Sequence, residues 1–446
     1  MFKTGQLLTL SIHSLTDKGD GIASHEGKPV YVAGALPGDE VEAQVTLAKP
    51  RYAQAELRRV LASAPGRCAD FCPHTACGGC QLRVMDYATQ LELKRGLLLT
   101  ALEERGLSCP VGDILGMSEP FHYRNKAQFA VQPGPTVGFY AKHSHQLVEV
   151  EQCRVQAPVT GDITALVRQW MRDWAVPAFN EAHHSGCVRY LMVRDGVHSG
   201  ELMVVLVVAE EPEAAALEAL VERLARVPHM ASVQLCLNEA AGNRVLGQQV
   251  RTLWGESTIT DTLGELQFDI SALSFYQINP RQTEVLYREA VRLAALSGTE
   301  TVFDLYSGIG TISLFLAPHA ARVHGIELVS EAVADAERNA ARNGMTNVSF
   351  HQGAAEQLVP ALYEQGLSAD VVVVDPPRKG CDEQLLGTLA QMRPARLVYV
   401  SCNPKSLARD AAWLSEHGFE LAEATPVDMF PHTMHVETVA LFTLKR

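Results

Sequence analysis

Two apolar stretches in the C-terminal half of the chain each end in a turn that carries a chemically reactive type of side chain. Cys402 ends the run Val-Tyr-Val-Ser-Cys-Asn-Pro at 398–404, and Asp375 ends Val-Val-Val-Val-Asp-Pro-Pro-Arg at 371–378. In open α/β sheets, ligands bind beyond the carboxyl ends of the strands. We therefore predict that Cys402 is a nucleophile, and that Asp375, held rigidly by two prolines, faces the same site.

A thiolate in this place suits methylation at C5 of a pyrimidine. C5 is a poor nucleophile until a thiolate adds to C6, and a base must then remove the C5 proton so that the thiol can leave. The C-terminal segment offers His432, His435 and Glu437 as that base. The residues alone do not choose among the three, although each histidine is more simply interpreted as a hydrogen-bonded structural residue.

A glycine turn predicts where the methyl donor binds. Gly308 and Gly310 follow one predicted strand, and Glu327 ends the next, where an acid can bind ribose hydroxyls. Ser313 stands at the third glycine of a dinucleotide motif, and Asp304 would repel a pyrophosphate. Both features favour a nucleoside without phosphates, and S-adenosyl-L-methionine fits.

A group of cysteines near the N-terminal end predicts a metal site. Cys72, Cys77 and Cys80 lie too close in sequence for all three thiols to serve core packing. Three grouped cysteines and one remote cysteine are a common iron–sulfur arrangement, whereas zinc prefers paired CxxC motifs. The candidates for the remote ligand are Cys109, Cys153 and Cys187.

The whole chain of 446 residues is long enough for two or three domains. Its longest apolar run, 202–209, is far shorter than the roughly 20 residues of a membrane helix, and no secretory signal is visible. We therefore expect a cytoplasmic protein that binds no membrane. The net charge of -13 argues against nonspecific coating of nucleic acid, but a local basic groove remains compatible with it.

Hydrophobic patterning divides the chain into three predicted domains within an overall α/β fold. Residues 1–62 read as a small β-barrel, with short alternating strands between glycine and proline turns. Residues 63–270 read as a central α+β domain that carries the cysteine group, with a helix over 90–106. Residues 271–446 alternate strands and helices, which predicts a doubly wound, Rossmann-like parallel sheet.

Taken together, these motifs resemble the RNA uracil-C5 methyltransferase family over nearly the whole chain. The resemblance implies that 1–62 is a TRAM domain that binds RNA and that Cys72, Cys77, Cys80 and Cys153 hold a [4Fe-4S] cluster. The family usually has one residue more between its first two cysteines than the four between Cys72 and Cys77. Cys68 therefore competes for the first position.

The same resemblance implies roles in the C-terminal domain. Gln277 in Phe-Tyr-Gln-Ile-Asn, Tyr306, Glu327 and Asp375 fall on its cofactor positions. Ser-Cys-Asn-Pro implies Cys402 as nucleophile, and His-Val-Glu-Thr selects Glu437 as base. The basic and aromatic segment 123–129 also resembles a family segment and would suit RNA contact.

We therefore expect a monomeric enzyme that makes 5-methyluridine in RNA, with 23S ribosomal RNA as the expected substrate. The enzymatic alternatives are a transfer-RNA uridine-C5 methyltransferase and an RNA cytosine-C5 methyltransferase. The latter usually carries a second cysteine in the proline loop, which Pro376 and Pro377 do not supply. The non-enzymatic alternative is a cluster-bearing RNA-binding or redox protein with an inactive methyltransferase fold.

Overall fold

The computed structural model describes residues 2–142, 144–240, 242 and 244–445; Met1 and Arg446, the outer limits of the predicted domains, lie outside the described residues. The described strands form sheets of six, seven and seven strands and one two-stranded hairpin. In this part of the chain, no helix is long and apolar enough to cross a membrane.

The N-terminal sheet contains short strands whose side chains are alternately buried and exposed. Its strands are β1 (Leu7–Ser11), β2 (Ser14–Leu15), β3 (Asp20–His25), β4 (Lys28–Ala33), β5 (Glu40–Ala48) and β6 (Ala53–Ala62). They pair in the order β1-β5-β6-β4-β3-β2, and β1 also lies against β3, so the sheet curls around its own apolar core. The prediction of a small N-terminal β domain is confirmed.

The second sheet forms the middle of the chain. Its strands are β7 (Lys126–Gln132), β8 (Thr136–Tyr140), β9 (Leu147–Glu149), β10 (Val188–Asp195), β11 (Leu202–Val208), β12 (Met230–Leu237) and β13 (Gln249–Gly255). The order is β13-β12-β11-β10-β7-β8-β9, antiparallel except for β11 with β12. Helices α2 (Val159–Asp173) and α3 (Ala214–Leu224) bury their apolar faces against it.

The third sheet belongs to the C-terminal part of the chain. Its strands are β16 (Thr301–Leu305), β17 (Arg322–Glu327), β18 (Val348–Gln352), β19 (Val371–Val374), β20 (Arg396–Ser401), β21 (Phe419–Val427) and β22 (Glu437–Leu444). The order is β18-β17-β16-β19-β20-β22-β21, and β22 is the strand that runs antiparallel to the other six. The predicted doubly wound sheet is confirmed, with the strand order reversing between β16 and β19.

Helices cover both faces of this sheet, which explains its uninterrupted apolar strands. The remaining helices are α1 (Tyr87–Glu103), α4 (Pro280–Ala294), α5 (Thr311–Leu316), α6 (Ser330–Arg342), α7 (Ala355–Glu364), α8 (Glu383–Met392) and α9 (Pro404–Glu416), with a 3₁₀ turn at Ala317–His319. Val371 and Val373 face the core of α4, α5 and α6, while Val372 and Val374 face that of α7, α8 and α9.

Two elements from before residue 271 also join the core of the third sheet. Leu98 and Leu102 of α1 pack there with α9, and the hairpin of β14 (Thr258–Leu263) and β15 (Leu266–Ser271) packs against α4. The helix predicted over 90–106 begins earlier, at Tyr87, because the Asp86 side chain caps it by accepting the N–H of Thr89 at 2.8 Å.

A buried ion pair ties α1 to the loop between β21 and β22. Lys94 Nζ lies 2.5 Å from Asp428 Oδ1, and both side chains are 0% exposed. Lys94 also donates to the Phe430 carbonyl at 2.9 Å, and the Tyr87 hydroxyl donates to Asp428 Oδ2 at 2.8 Å. Because each charge has further partners, the burial of both is compensated.

We predict that Lys94→Ala destabilises the protein by roughly 3–5 kcal/mol, because it leaves Asp428 charged, buried and without its cation. The matched control is Arg251→Ala, which breaks an ion pair with Glu211 whose side chains are 57% and 52% exposed. That variant should lose less than about 1 kcal/mol. Urea unfolding of both variants measures the difference, and equal midpoints would contradict the prediction.

Candidate active site

Three of the predicted site residues lie at the same end of three neighbouring strands of the third sheet. Asp375 directly follows β19, Cys402 directly follows β20, and Glu437 is the first residue of β22. The register pairs Ser401 with Thr438, so Cys402 and Glu437 are the next two residues beyond the same end of that pair. The structure therefore brings the predicted nucleophile and the predicted base together, and the charges of Glu437 and Asp375 both act on the Cys402 thiol.

Asn403 fixes the turn that presents Cys402. Its Nδ2 donates to the Arg378 carbonyl at 3.0 Å, and its Oδ1 accepts the N–H of Lys405 at 3.1 Å as the N-cap of α9. The first of these bonds joins the cysteine turn to the Asp-Pro-Pro-Arg turn. Cys402 and Asp375 are thus carried by two turns that support each other.

A cleft of about 260 Å³ opens beside Cys402, whose side chain is half-buried. Arg378, His435 and Lys405 also line it, together with Asp17 from the loop between β2 and β3. Lys405 Nζ lies 2.8 Å from Asp17 Oδ2. The N-terminal sheet therefore contributes a side chain to the wall of the cleft.

Low solvation keeps the acidic groups of this site protonated at higher pH than usual. Burial, aided by the charges of Glu437 and Asp375, raises the pKa of Cys402 to about 11. Burial and the charge of Asp375 raise the pKa of Glu437 to about 8. Arg378 opposes both pKa shifts and so favours the thiolate. The sequence had suggested no role for Arg378; its place directly after Asp-Pro-Pro was the available signal.

The two histidines of the C-terminal loop differ in their surroundings. His432 is buried, with its Nδ1 accepting from Gln90 Nε2 at 3.2 Å and its Nε2 facing the Pro120 carbonyl at 3.0 Å. Burial lowers its pKa to about 4. It is the hydrogen-bonded structural residue that the simpler interpretation predicted. His435 lines the Cys402 cleft, where partial desolvation of its ring and then the charge of Arg378 lower its pKa to about 4.

The glycine turn after β16 lies beside the carboxylate that ends β17. Glu327 accepts hydrogen bonds from the N–H groups of Gly308 at 3.0 Å and Val329 at 2.8 Å. Gly308 has a φ of 55°, and a Cβ added there would meet nothing within 4 Å, so the surface over the turn is open. This turn stands where the strand order reverses, which is where doubly wound sheets bind ligands.

Asp304 lies inside the sheet, below this turn. It is buried, and Ser313 Oγ donates to its Oδ2 at 2.5 Å. Burial raises its pKa to about 7. Ser313, at the third glycine position, therefore donates a hydrogen bond to the carboxyl group beneath the turn.

Gln277 lies in the segment between β15 and α4. Its side chain lies near the buried Tyr287, whose hydroxyl lies 2.9 Å from Thr311 Oγ1 at the start of α5. Asn125 Nδ2 donates to the Gln277 carbonyl at 3.0 Å. The sequence did not reveal Tyr287, because a tyrosine in the apolar stripe of a helix is indistinguishable from ordinary core.

Tyr306 has a different environment from the other predicted cofactor residues. Its side chain packs on the face of the sheet that α7, α8 and α9 cover, and Glu356 and Asp382 are among the nearest charges. Its backbone φ is 66°, an unusual value for a residue with a side chain. Such strained residues cluster at functional sites.

Four of the seven cysteines considered as metal ligands lie together. The charges of Cys72, Cys77 and Cys153 all act on Cys80. Cys68 has other neighbours, namely the Arg83 carbonyl and charged side chains, so it lies apart from this group. Among the residues that the structure describes, no three His, Cys, Asp or Glu side chains could hold a single metal ion. Metal binding by the four cysteines remains a prediction.

The segment 123–129, which the sequence suggested for RNA contact, is largely buried. Tyr123 is buried, and its hydroxyl donates to the Pro431 carbonyl at 3.0 Å. Arg124 donates to the Tyr123 hydroxyl at 3.3 Å and lies near Cys80 and Cys153. These side chains support the C-terminal loop and the cysteine group because the following strand, β7, is central in its sheet.

Comparison with known sequences gives two family matches. The profile of the family described as tRNA (Uracil-5-)-methyltransferase matches residues 86–445, and that of the TRAM domain matches residues 2–57. An uncharacterized RNA methyltransferase of Halalkalibacterium halodurans is 43% identical over 98% of this chain and 97% of its own length. One from Clostridium tetani is 40% identical over 99% and 97%.

A solved structure is similar over almost the same length. The tRNA (uracil-54, C5)-methyltransferase of Pyrococcus abyssi, in complex with S-adenosyl-L-homocysteine, superposes with a TM-score of 0.80 and 26% identity over 98% of this chain and 99% of that one. The chain therefore belongs to the tRNA (uracil-5-)-methyltransferase family of RNA methyltransferases and carries a TRAM domain before its catalytic part.

Proposed function

We propose that this protein methylates C5 of a uridine in 23S ribosomal RNA, with Cys402 as nucleophile and Glu437 as base. The observation that carries the proposal is the position of both side chains at one end of the β20–β22 pair, beside Asp375. A thiol and a carboxyl group that share a cleft provide the two chemical roles that C5 methylation needs.

The crevice beyond β16 and β19 fits S-adenosylmethionine, which supplies an electrophilic methyl group. Glu327 is positioned for ribose hydroxyls, and Leu328 and Val329 beside it are 64% and 50% exposed, which gives an apolar surface for an adenine ring. Gln277 lies beside the same crevice, near Tyr287. Asp304 is buried beneath the turn, and its carboxyl group would not bind a phosphate.

In the proposed reaction, the Cys402 thiolate forms a bond to C6 of the uracil, and the electron pair of the C5–C6 double bond moves towards C5 and its carbonyl. C5 then takes the methyl group and S-adenosylhomocysteine leaves. The Glu437 carboxylate removes the C5 proton, the double bond re-forms and the C6–S bond breaks. Arg378 favours the charged form of Cys402 at the start and end of this sequence.

The target uridine must leave its base stack to reach Cys402. Ribosomal RNA is our proposed substrate because the TRAM domain and the cysteine group resemble the ribosomal-RNA branch of the family. A transfer RNA is the second candidate, because the Pyrococcus abyssi enzyme that superposes on nearly the whole chain acts on transfer RNA. The two substrates are separated by experiment.

Cells that lack this gene should lose one or more 5-methyluridines from 23S ribosomal RNA. Expression of the wild-type protein should restore them, and Cys402→Ala should not, because no other thiol would add to C6. Nucleoside-resolved mass mapping of ribosomal and transfer RNA measures both. Loss confined to transfer RNA would replace the substrate, and restoration by Cys402→Ala would overturn the mechanism. Binding of S-adenosylhomocysteine by Cys402→Ala, measured by calorimetry, is the control for folding.

Glu437→Gln should accumulate a covalent protein–RNA adduct, because the amide cannot remove the C5 proton after methyl transfer. The adduct would appear as a slow band on denaturing gels, and Cys402→Ala/Glu437→Gln should not form it. In the wild type, the pKa of Glu437 is raised to about 8, so resolution of the adduct should quicken as pH rises through that value. Prompt turnover by Glu437→Gln would place the base elsewhere.

We also propose that Cys72, Cys77, Cys80 and Cys153 bind a [4Fe-4S] cluster. Their grouping supports this, with Cys153 close to the other three and Cys68 apart. In a cluster each thiolate binds a different iron atom, so the ligands stand further apart than around one ion. That spacing is compatible with the lack of a single-ion site among the described residues. Bound iron would crosslink the loop between β6 and α1 with the loop after β9.

Anaerobically purified protein should contain iron and sulfide and absorb visible light. Cys153→Ser should lose iron, because it removes the remote ligand, while Cys68→Ser should keep it. Iron and zinc analysis of the three proteins decides the matter. Zinc in colourless wild-type protein, or loss of iron only from Cys68→Ser, would overturn the assignment.

A further inference from the structure

A second pocket, of about 260 Å³, lies in the central domain beside strands β7, β8 and β10 of the second sheet. Two aromatic rings line it: Tyr140, the last residue of β8, is 38% exposed, and Phe179 is half-buried. The polar groups of Gln132 and Asn180 also line the pocket. Flat aromatic walls with donors and acceptors at the rim are what single-stranded nucleic-acid pockets use for bases.

A buried arginine is built into the wall of this pocket. Arg189 is 3% exposed and sits in β10 where the pairing with β11 shifts register between Val188 and Tyr190. Its Nη1 donates to the Asn238 and Ala240 carbonyls at 2.9 and 2.7 Å, and its Nη2 donates at 2.8 Å to Glu181 Oε1, a carboxylate that also lines the pocket. Its Nε has no hydrogen-bond partner. A bulge commonly re-aims a side chain beside a binding site, and a buried donor without a partner is costly unless a ligand satisfies it.

A third cleft lies between this pocket and the Cys402 cleft. An open cleft of about 460 Å³ shares Asp17, Met434 and His435 with the Cys402 cleft and shares Tyr140 with the Arg189 pocket. Lys18 and Lys142 line this connecting cleft, and Lys142 Nζ also lies 2.6 Å from Asp20 Oδ1. A strand of RNA that lies along it would have cations for its phosphates between the two pockets.

We propose that the Tyr140–Arg189 pocket holds an unstacked nucleobase of the same RNA strand whose uridine meets Cys402. The base would stack on Tyr140, and an acceptor on its edge would receive the N–H of Arg189 Nε, the one nitrogen of that side chain without a partner. The inference rests on the proposed function, because it takes the RNA to be the substrate. Two bases withdrawn from one strand would fix its direction in the groove and so determine which uridine reaches the nucleophile.

The test uses a fluorescent oligouridylate of about ten nucleotides, a length that such grooves accommodate, and an abasic strand of the same length. Anisotropy titrations of the full-length protein should show that Tyr140→Ala weakens binding of the oligouridylate about tenfold, as expected for one lost stacking contact. Tyr140→Phe keeps the ring and should stay within about twofold. The abasic strand should bind wild type and Tyr140→Ala equally.

The matched control is Trp254→Ala, because Trp254 is also 38% exposed but lies in β13, at the opposite edge of the same sheet. It should bind like the wild type. Equal affinity of wild type and Tyr140→Ala for the oligouridylate, with uridine methylation intact, would overturn the pocket and leave the proposed function. Tyr140-dependent binding by a protein that methylates no RNA would support the pocket and overturn the proposed function.

Discussion

The buried ion pair between Lys94 and Asp428 anchors the start of the segment that precedes the proposed base. Asp428 begins the loop that leads to Glu437, and α1 lies far from it in sequence. Around this pair, Gln90 holds the backbone N–H of His432 at 2.8 Å and Tyr123 holds the Pro431 carbonyl. Because these contacts come from before residue 130, the doubly wound domain does not hold the loop before Glu437 by itself. It depends on a helix and a loop from the earlier part of the chain.

The cysteine group acts on the same loop through a short series of contacts. Cys80 and Cys153 pack against Tyr123, the residue that holds Pro431. Arg124, beside both thiols, also bonds the Tyr123 hydroxyl. A cluster in that place would therefore stiffen the support of the C-terminal loop without touching the reacting atoms. Its chemistry need not be redox chemistry for its loss to impair methylation.

Local patterns predicted the sheet far better than they predicted the contacts across it. The apolar runs at 202–209 and before Asp375 form β11 and β19, since fully buried strands leave continuous apolar runs. Lys94 gave no signal, because a lysine in a helix is almost always solvated. Tyr123 and Arg124 looked like surface residues for the same reason. What decides their burial is a partner hundreds of positions away, and no local pattern contains it.

The antiparallel placement of β22 beside β20 has a consequence for how this site can vary. The distance between thiol and carboxyl group is set by a hydrogen-bonded ladder rather than by the conformation of a loop. Side chains alternate along a strand, so a shift of one residue in β22 would turn Glu437 to the opposite face of the sheet. Length changes are thus tolerable in the loop before Glu437 only if the ladder keeps its pairing. The pairing of β20 with β22 thus fixes the catalytic geometry, while the surrounding loops can vary to suit different RNAs.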